Sequence, residues 1–213
     1  MTAKTTKTKS KTTKTKWQRK REASRAALVR SAAHSFHERG YAATRVEDIV
    51  AGTGYTSGAF YFHFTDKAEC FWTVVEHREG LRGEWWEIVL EGLDPGEVPL
   101  GEVLGRVFAH FDRTLEGLNE WVLVMVDFHQ QHRGEGVPEA RLAEVYRRWH
   151  EEMVSFAEAL AERGWIDGGR DPDVLATQVF AFAEGLAVHA RLYGIEEAAV
   201  QGALIEGLVR LLR

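Results

Sequence analysis

The sequence is poor in cysteine and proline, with one cysteine, Cys70, and four prolines among 213 residues. A single cysteine excludes a disulfide framework within the chain and any cysteine-rich zinc or iron–sulfur site. No run of about 18 apolar residues occurs, so we expect no membrane span. The Lys/Thr-rich start leads into no apolar segment, so we expect no signal peptide and a cytoplasmic protein.

The sequence also lacks the motifs of helical enzymes. None of its nine histidines lies three residues after a glutamate, as in the Glu-x-x-His pairs of di-iron bundles. The pattern His-Glu-x-x-His, the Gly-Lys pair of a P-loop and the Gly-x-Ser-x-Gly elbow are all missing. The i,i+3 pairs His34/His37 and His129/His132 are a weak zinc-like signal without evident partners. We therefore expect no enzyme, no cofactor and no metal site.

Positive charge is concentrated at the start of the chain, although the net charge is −5. Residues 1–67 contain all eight lysines and carry a net charge of +9, whereas residues 68–213 carry −14. A basic segment on an acidic body suggests that the segment binds a polyanion. Nucleic acid is the leading candidate, because neutralising phosphates releases condensed counterions. The alternative is a basic tail that only keeps the chain soluble.

Helical periodicity begins after the first 16 residues. Residues 1–16 are almost only Lys and Thr, have nothing to bury and are expected to be disordered. Beyond them, Leu28, Ala32 and Phe36 form one apolar stripe of a helix. Gly40 is predicted to end this helix.

The same periodicity continues to the end of the chain. A long fourth helix is expected to begin at Thr65 or Asp66 and to run through Val89. Pro172 suits the first turn of a later helix and Gly194 marks a boundary. Further helices are predicted over residues 100–117, 119–132, 138–163, 172–193 and 196–212. We predict an all-α fold of about nine helices.

Two short helices are predicted between the first helix and the fourth. Thr44 and Glu47 have the spacing of a capping box, in which the Thr44 hydroxyl accepts from the Glu47 amide, and a helix over about 45–51 would follow. Gly52-Thr53-Gly54 breaks this helix, and Thr56 can cap the next one. Two short helices joined by a glycine-containing turn behind a supporting helix form a helix-turn-helix, whose second helix enters the major groove of DNA.

Three stretches of this region resemble the DNA-binding domain of the TetR family of bacterial transcriptional regulators. They are Ala32 to Tyr41, Thr44 to Val50 and Gly54 to Lys67. The last stretch is the most specific, because it joins a short helix, an aromatic patch and a lysine at fixed offsets. Phe60, Tyr55 and Gly52 stand where Leu, Val and Ala are usual in the family.

The resemblance implies which residues contact DNA. Backbone phosphates would meet the N-termini of both short helices, the polar tips of aromatic residues and the lysine that begins the fourth helix. Small residues of the second helix would approach base edges, where a methyl group contacts thymine. The expected contact residues are Thr44, Arg45, Thr56, Ser57, Gly58, Ala59, Tyr61, His63 and Lys67. The residues assigned to the core are Phe36, Ile49, Phe60 and Phe64. The alternative is that Tyr61 packs and that His63 and Lys67 are ordinary surface residues.

The middle helices carry large aromatic and polar side chains on apolar faces, which is typical of small-molecule sites. The resemblance implies an apolar or aromatic effector there that changes the spacing of two DNA-binding heads, with the helix from Asp66 as the lever. The expected pocket residues are Trp85, His110, Trp121, Met125, Phe128, His129, Trp149, Phe156 and Phe180. The alternative is plain core packing, with no cavity above about 300 Å³.

The last two helices are apolar over much of their circumference, so they are expected to be buried on several sides. Ala181 and Gly185 are small enough for close helix approach. The resemblance implies that these two helices from each subunit form a four-helix interface of a homodimer. The expected interface residues are Val174, Ala181, Gly185, Val188, Leu192, Leu204 and Leu208. The alternative is a monomer whose core uses both faces.

We therefore predict a disordered basic tail over residues 1–21, a DNA-binding domain over 22–82 with its helix-turn-helix at about 45–64, and a helical effector-binding and dimerisation domain over 83–213. The chain is expected to repress transcription until a small effector releases it from a palindromic operator in double-stranded DNA. The alternative is a DNA-binding protein of the same fold without an effector, either an autorepressor or an architectural protein. The acidic body argues against an architectural protein that wraps DNA.

Deleting residues 2–16 is expected to weaken operator binding and to flatten its dependence on salt concentration, because basic arms of this kind lie along an adjacent minor groove. Titration of the operator at a series of salt concentrations measures both quantities. An unchanged affinity with an unchanged salt slope would mean that the tail only solubilises the chain.

Overall fold

The computed structural model describes residues 15–82, 85–115 and 121–213. Within these ranges the chain folds into ten α-helices and no strand, which confirms the all-α prediction of about nine helices. They are α1 (Lys16–Arg39), α2 (Val46–Val50), α3 (Ser57–His63), α4 (Lys67–Arg82), α5 (Trp85–Leu90), α6 (Leu100–Leu115), α7 (Trp121–Gln131), α8 (Gly136–Glu162), α9 (Pro172–Tyr193) and α10 (Glu197–Leu212). The tail predicted to be disordered lies outside the described residues up to residue 14. Its remaining part, residues 15–21, is the N-cap and the first turns of α1, so the prediction of disorder there is wrong. None of the described helices is long and apolar enough to cross a membrane.

Several helix ends follow from local chemistry, as predicted. Gly40 ends α1 with a φ of 81°, and its amide donates to the carbonyl of Phe36 at 2.8 Å. Pro172 is the first residue of α9, behind Asp171, whose carboxylate accepts from the Asp173 amide at 2.9 Å. Glycine ends α9 as well, at Gly194, in the left-handed conformation.

The capping box predicted at Thr44 is wrong. The cap of α2 is Arg45, whose backbone N–H donates to the Asp48 carboxylate at 2.8 Å. Thr44 is 1% exposed, and its single O–H is shared between two carbonyl oxygens, that of Gly40 at 2.7 Å and that of Ser35 at 3.0 Å. Both carbonyls belong to the end of α1, so a tertiary partner takes the hydroxyl that the sequence pattern assigned to a local amide.

The long helix expected through Val89 is present as two helices, α4 and α5. Residues 83–84, between them, lie outside the described part of the chain. The start of α4 is fixed by Asp66, whose carboxylate accepts from the Glu69 amide at 2.7 Å. The lever expected to run from Asp66 into the body is therefore the sixteen-residue α4 alone.

Two apolar clusters form the interior. The first, here called the head cluster, joins α1–α4 to α7 and the N-terminal half of α8. The second, the body cluster, joins α5, α6, α9 and α10 to the C-terminal half of α8. α8 therefore belongs to both, with Leu142 and Val145 in the head cluster and Phe156 and Leu160 in the body cluster. The four residues assigned to the core from the sequence all lie buried in the head cluster: Phe36, Ile49, Phe60 and Phe64.

The loop between α1 and α2 is also the place where α7 meets the head. Asp127 of α7 accepts a hydrogen bond from the Ala42 amide at 2.8 Å. Gly40 has a φ of 81° and a ψ of 167°, a conformation open essentially to glycine alone. A Cβ on Gly40 would lie 2.8 Å from Asp127 Oδ2. This glycine is therefore required both by the backbone and by the close approach of α7.

Replacement of Gly40 by Ala is expected to lower the free energy of unfolding by at least about 2 kcal/mol, because the backbone is strained and Asp127 must release the Ala42 amide. Gly52→Ala is the matched control, since Gly52 also has a positive φ, 76°, but open space at its Cβ. That control is expected to cost about 1 kcal/mol. Urea unfolding of both variants measures the difference, and equal losses would contradict the role given to Asp127.

Candidate nucleic-acid interface and apolar interior

α3 presents a short exposed face next to the turn that joins it to α2. Thr56 caps the helix as predicted, its hydroxyl accepting from the Ala59 amide at 3.3 Å. Phe60 anchors α3 in the head cluster, whereas Tyr61 and Phe62 are 58% and 60% exposed. The expected contact residues that lie exposed or half-exposed on α3 and its cap are Thr56, Ser57, Gly58, Ala59 and Tyr61.

The hydroxyl of Thr53 bridges the two sides of the turn before α3, which contains two glycines. Thr53 Oγ1 donates to the Val50 carbonyl at 2.7 Å and accepts from the Tyr55 amide at 3.1 Å. On the other side of α2, Arg45 at the N-cap has an exposed side chain. Arg45 and the exposed positions of α3 are thus available to a ligand from solvent.

Lys67, which was expected to meet a phosphate, is engaged inside the protein. Its Nζ donates to the carbonyls of Tyr41 at 2.7 Å and Thr44 at 2.9 Å, with a longer contact of 3.4 Å to Ala42. An ammonium has three N–H donors, so these carbonyls occupy all of them. Burial lowers the pKa of Lys67, and the nearby charge of Asp127 opposes that shift. The side chain therefore secures the loop between α1 and α2.

His63 also faces the protein. Its Nε2 lies 2.8 Å from Ser24 Oγ of α1, and its Nδ1 is buried with no hydrogen-bond partner among the described residues. Burial lowers the pKa of His63, and the charges of Arg21 and Arg25 lower it further, which favours the neutral imidazole. The side chains of Thr44, His63 and Lys67 thus have partners within the protein, and the phosphate contacts expected from them stay a prediction. Each side chain is held by partners on α1 or the loop that follows it.

The structure adds two aromatic residues to this surface that the sequence prediction missed, Trp17 and Phe62. Both are 60% exposed. The guanidinium of Arg21 lies 5.7 Å from the centroid of each ring. Helical spacing was the signal available in the sequence, because Trp17 and Arg21 are four residues apart on α1. Phe62 follows the buried Phe60 by two residues and therefore faces the opposite side of α3.

The interior behind the head contains an apolar cavity in the body cluster. Its volume is about 70 Å³ and its lining is entirely apolar. Small-molecule sites typically enclose about 300–1,000 Å³. The cavity in this conformation therefore does not reach the size expected of an effector chamber.

Two of the nine residues predicted for an effector pocket, Trp85 and Phe156, line this cavity. Trp121, Met125 and Phe128 do not, because α7 packs on α1 and on Phe71 of α4, which buries them in the head cluster. Phe128 stacks on Phe71 of α4 with ring centroids 4.1 Å apart and planes 8° from parallel. Their assignment to the pocket is therefore corrected to the joint between α7 and the head.

The other four predicted pocket residues are half-buried and lie away from the cavity lining: His110, His129, Trp149 and Phe180. The indole N–H of Trp149 donates to the Glu79 carboxylate on α4. The ring of Phe180 lies 6.4 Å from that of His150, between α9 and α8. Trp149 and Phe180 therefore each connect α8 or α9 to a neighbouring helix.

An exposed apolar stripe runs along α9. It contains all five interface residues predicted on this helix, at spacings of three, four and seven residues: Val174, Ala181, Gly185, Val188 and Leu192. Leu204 and Leu208 of α10 are buried in the body cluster, so their assignment to the interface is wrong. The exposed side of α10 instead carries small residues, Ala198, Ala199, Gly202 and Ala203.

The chain is similar in sequence to known bacterial transcriptional regulators. A family model described as bacterial regulatory proteins, tetR family, matches residues 28–72, the segment from α1 to α4. The chain is 38% identical over 172 residues to a probable HTH-type transcriptional regulator, ArpR, of Pseudomonas putida, which covers 76% of this chain and 77% of that protein. It is 29% identical over 156 residues to the HTH-type transcriptional repressor KstR2 of Mycolicibacterium smegmatis, covering 73% and 71% of the two chains.

The fold is similar to solved structures at much lower sequence identity. A transcriptional regulator of the TetR family from Agrobacterium tumefaciens superposes with a TM-score of 0.70 at 13% identity. The alignment covers 90% of this chain and 98% of that chain. The similarity therefore extends through both the head and the body.

Proposed function

This chain belongs to the TetR family of bacterial regulatory proteins and regulates transcription by binding DNA, and we propose that it is a repressor that binds a palindromic operator as a homodimer. The exposed face of α3, next to the N-cap of α2, carries this proposal. It offers a glycine and small side chains for close approach to base edges and the exposed Tyr61 for a polar contact. The name of the mycobacterial relative, a transcriptional repressor, supports repression as the outcome.

Recognition residues in the proposed complex come from α3 and from Arg45. A helix that enters the major groove reads bases with side chains of its exposed face, and contacts to phosphates fix its register. Thr56 keeps its capping role in the complex. Because Thr44, His63 and Lys67 are held by partners within the protein, phosphate contacts come from Arg45, Tyr61 and the basic residues in the first two turns of α1.

Two copies of the chain are needed for a palindrome, and the stripe on α9 supplies a surface for pairing. Large apolar side chains exposed on one helix face mark an interaction site. The small residues at its centre, Ala181 and Gly185, allow close helix approach. α10 packs on α9 and exposes small residues of its own. We place the dimer interface on the exposed faces of α9 and α10.

Replacement of Leu192 by Glu is expected to produce a monomer, because a charge would be buried in the proposed interface. Its affinity for an operator is expected to fall about 100-fold or more, since two linked heads bind far more tightly than one. Ile88→Glu on α5 is the matched control, because Ile88 is 64% exposed and lies outside the stripe. Sedimentation measures the mass of each variant. A footprinting titration on DNA that flanks the protein's own gene locates the operator and measures the affinity for it. The proposal would be contradicted if the Leu192→Glu variant were still a dimer, or if the wild-type chain protected a single site instead of two symmetric half-sites.

An effector in this proposal binds a state in which the body cluster is expanded. The cavity in its compact form is too small for a typical ligand, so the compact state and the ligand-bound state must differ. A ligand shifts the population only through its higher affinity for one of the two states. The apolar lining favours a small apolar or aromatic compound.

A second candidate is a repressor of the same fold that responds to no effector. The small size of the cavity favours this reading, because α5, α6, α8, α9 and α10 already fill the body. The two candidates differ in the response of the free protein to small apolar compounds.

Indole and benzene are chosen as probes, since both are compact and apolar. A compound bound at about 100 times its dissociation constant raises the free energy of unfolding by about 2.7 kcal/mol. Ala157→Val, which places methyl groups in the cavity, is expected to abolish such a shift in thermal unfolding. Ala143→Val, at an exposed position of the same helix, is the control. No shift of the wild-type protein with either compound would favour the effector-free repressor.

A further inference from the structure

The first two turns of α1 form a helix that contacts none of the protein's core. Every described residue from Thr15 to Ala23 is exposed, and burial begins at Ser24. These turns carry Lys16, Arg19, Lys20 and Arg21, a dense positive charge. These turns are therefore helical although they bury no apolar side chain in the core, and the helix holds their positive charges in fixed positions.

Arg21 is the residue of this segment that is tied to the recognition helix. Its guanidinium lies 5.7 Å from the ring centroid of Trp17, one turn earlier on α1, and 5.7 Å from that of Phe62 on α3. Contact with a ring uses the flat face of a guanidinium and leaves the N–H donors at its edge available. Those donors match the oxygen atoms of a phosphate.

A second contact fixes the position of α1 against α3. Ser24 Oγ lies 2.8 Å from His63 Nε2, three residues from Arg21 on one helix and one residue from Phe62 on the other. The basic turns of α1 and the exposed face of α3 therefore form one surface. A duplex that contacted Tyr61 and Gly58 would therefore lie beside Arg21.

We propose that Arg21, held by Trp17 and Phe62, contacts a DNA phosphate beside the recognition helix and that Trp17 is its positioning residue. The inference rests on the proposed operator binding by α3. The contact lies outside the helix-turn-helix and sets the register of α3 on the duplex, because phosphate contacts position a protein and base contacts specify the sequence.

The test uses the full chain and a duplex that the wild-type protein selects from a randomised library. Arg21→Gln removes the charge, Arg21→Lys keeps the charge without the planar group, and Trp17→Leu removes one ring. Arg30→Gln is the matched control, because Arg30 is exposed on the same helix and nine residues away, which is the opposite face. Binding is titrated from low to high salt for each variant.

Arg21→Gln is expected to weaken binding about tenfold and to lower the salt slope by about one unit. Arg21→Lys is expected to keep the slope and lose part of the affinity. Trp17→Leu is expected to weaken binding of the wild type but to have no further effect in the Arg21→Gln background, which is the signature of positioning. The Arg30→Gln control is expected to stay within about twofold of the wild type.

An Arg21→Gln variant with the affinity and the salt slope of Arg30→Gln would overturn the phosphate contact while leaving the proposed function intact. Additive effects of Trp17→Leu and Arg21→Gln would overturn the positioning role. Failure of the wild-type chain to select any duplex would overturn the proposed function itself, and this inference with it. Far-ultraviolet circular dichroism of each variant verifies that α1 remains helical, which is expected because none of the three positions is buried.

Discussion

The position of the helix-turn-helix depends on the ammonium group of Lys67, which binds the loop between α1 and α2. The carbonyls of Tyr41, Ala42 and Thr44 converge on Lys67 Nζ, and the ring of Tyr41 lies 4.2 Å from it. Three carbonyl dipoles that point at a common site need a cation, since they would otherwise remain unsatisfied or repel one another. Because the loop leads directly into α2, and Lys67 begins α4, this contact sets the position of the helix-turn-helix against the rest of the chain.

The same loop also takes part in the contact between the DNA-binding domain and α7 of the following domain. Asp127 of α7 accepts from the Ala42 amide, and the Tyr41 hydroxyl lies 3.0 Å from His132 Nε2 at the end of α7. α8, which follows α7, has one half in the head cluster and the other in the body cluster. Expansion of the body around a ligand would displace the C-terminal half of α8 and, through its rigid backbone, the N-terminal half that supports the head. α7 and α8 are therefore at least as well placed as α4 to act as the lever.

What the sequence could predict was set by local chemistry. Gly40, Pro172 and Thr56 act through backbone dihedrals and neighbouring amides, so their roles follow from the residues beside them. The prediction for Thr44 failed because two carbonyls of α1, distant from Glu47, compete for its hydroxyl. The intramolecular partners of Lys67 could not be predicted for a related reason, since its acceptors lie more than twenty residues away in the chain.

Periodicity identified apolar faces but could not assign them to partners. Phe128 and Phe156 look alike in the sequence, yet one packs on the head and the other lines the cavity. Leu204 and Leu208 were assigned to a dimer surface because α10 is apolar on more than one side. The distinguishing signal is side-chain size, since the leucines fill the core whereas Ala199 and Gly202 are exposed.

The charge distribution explains how a protein with a net charge of −5 can bind a polyanion. The Debye length at physiological ionic strength is about 8 Å, so the acidic body is screened from a duplex that lies against α1 and α3. In the proposed complex only the charges at the contact act at full strength, and these are the basic residues in the first two turns of α1 together with Arg45. The negative charge of the body still opposes a duplex that approaches it from any other side. In the proposed complex this division of charge orients the duplex, because the protein attracts DNA on the face on which α3 is exposed.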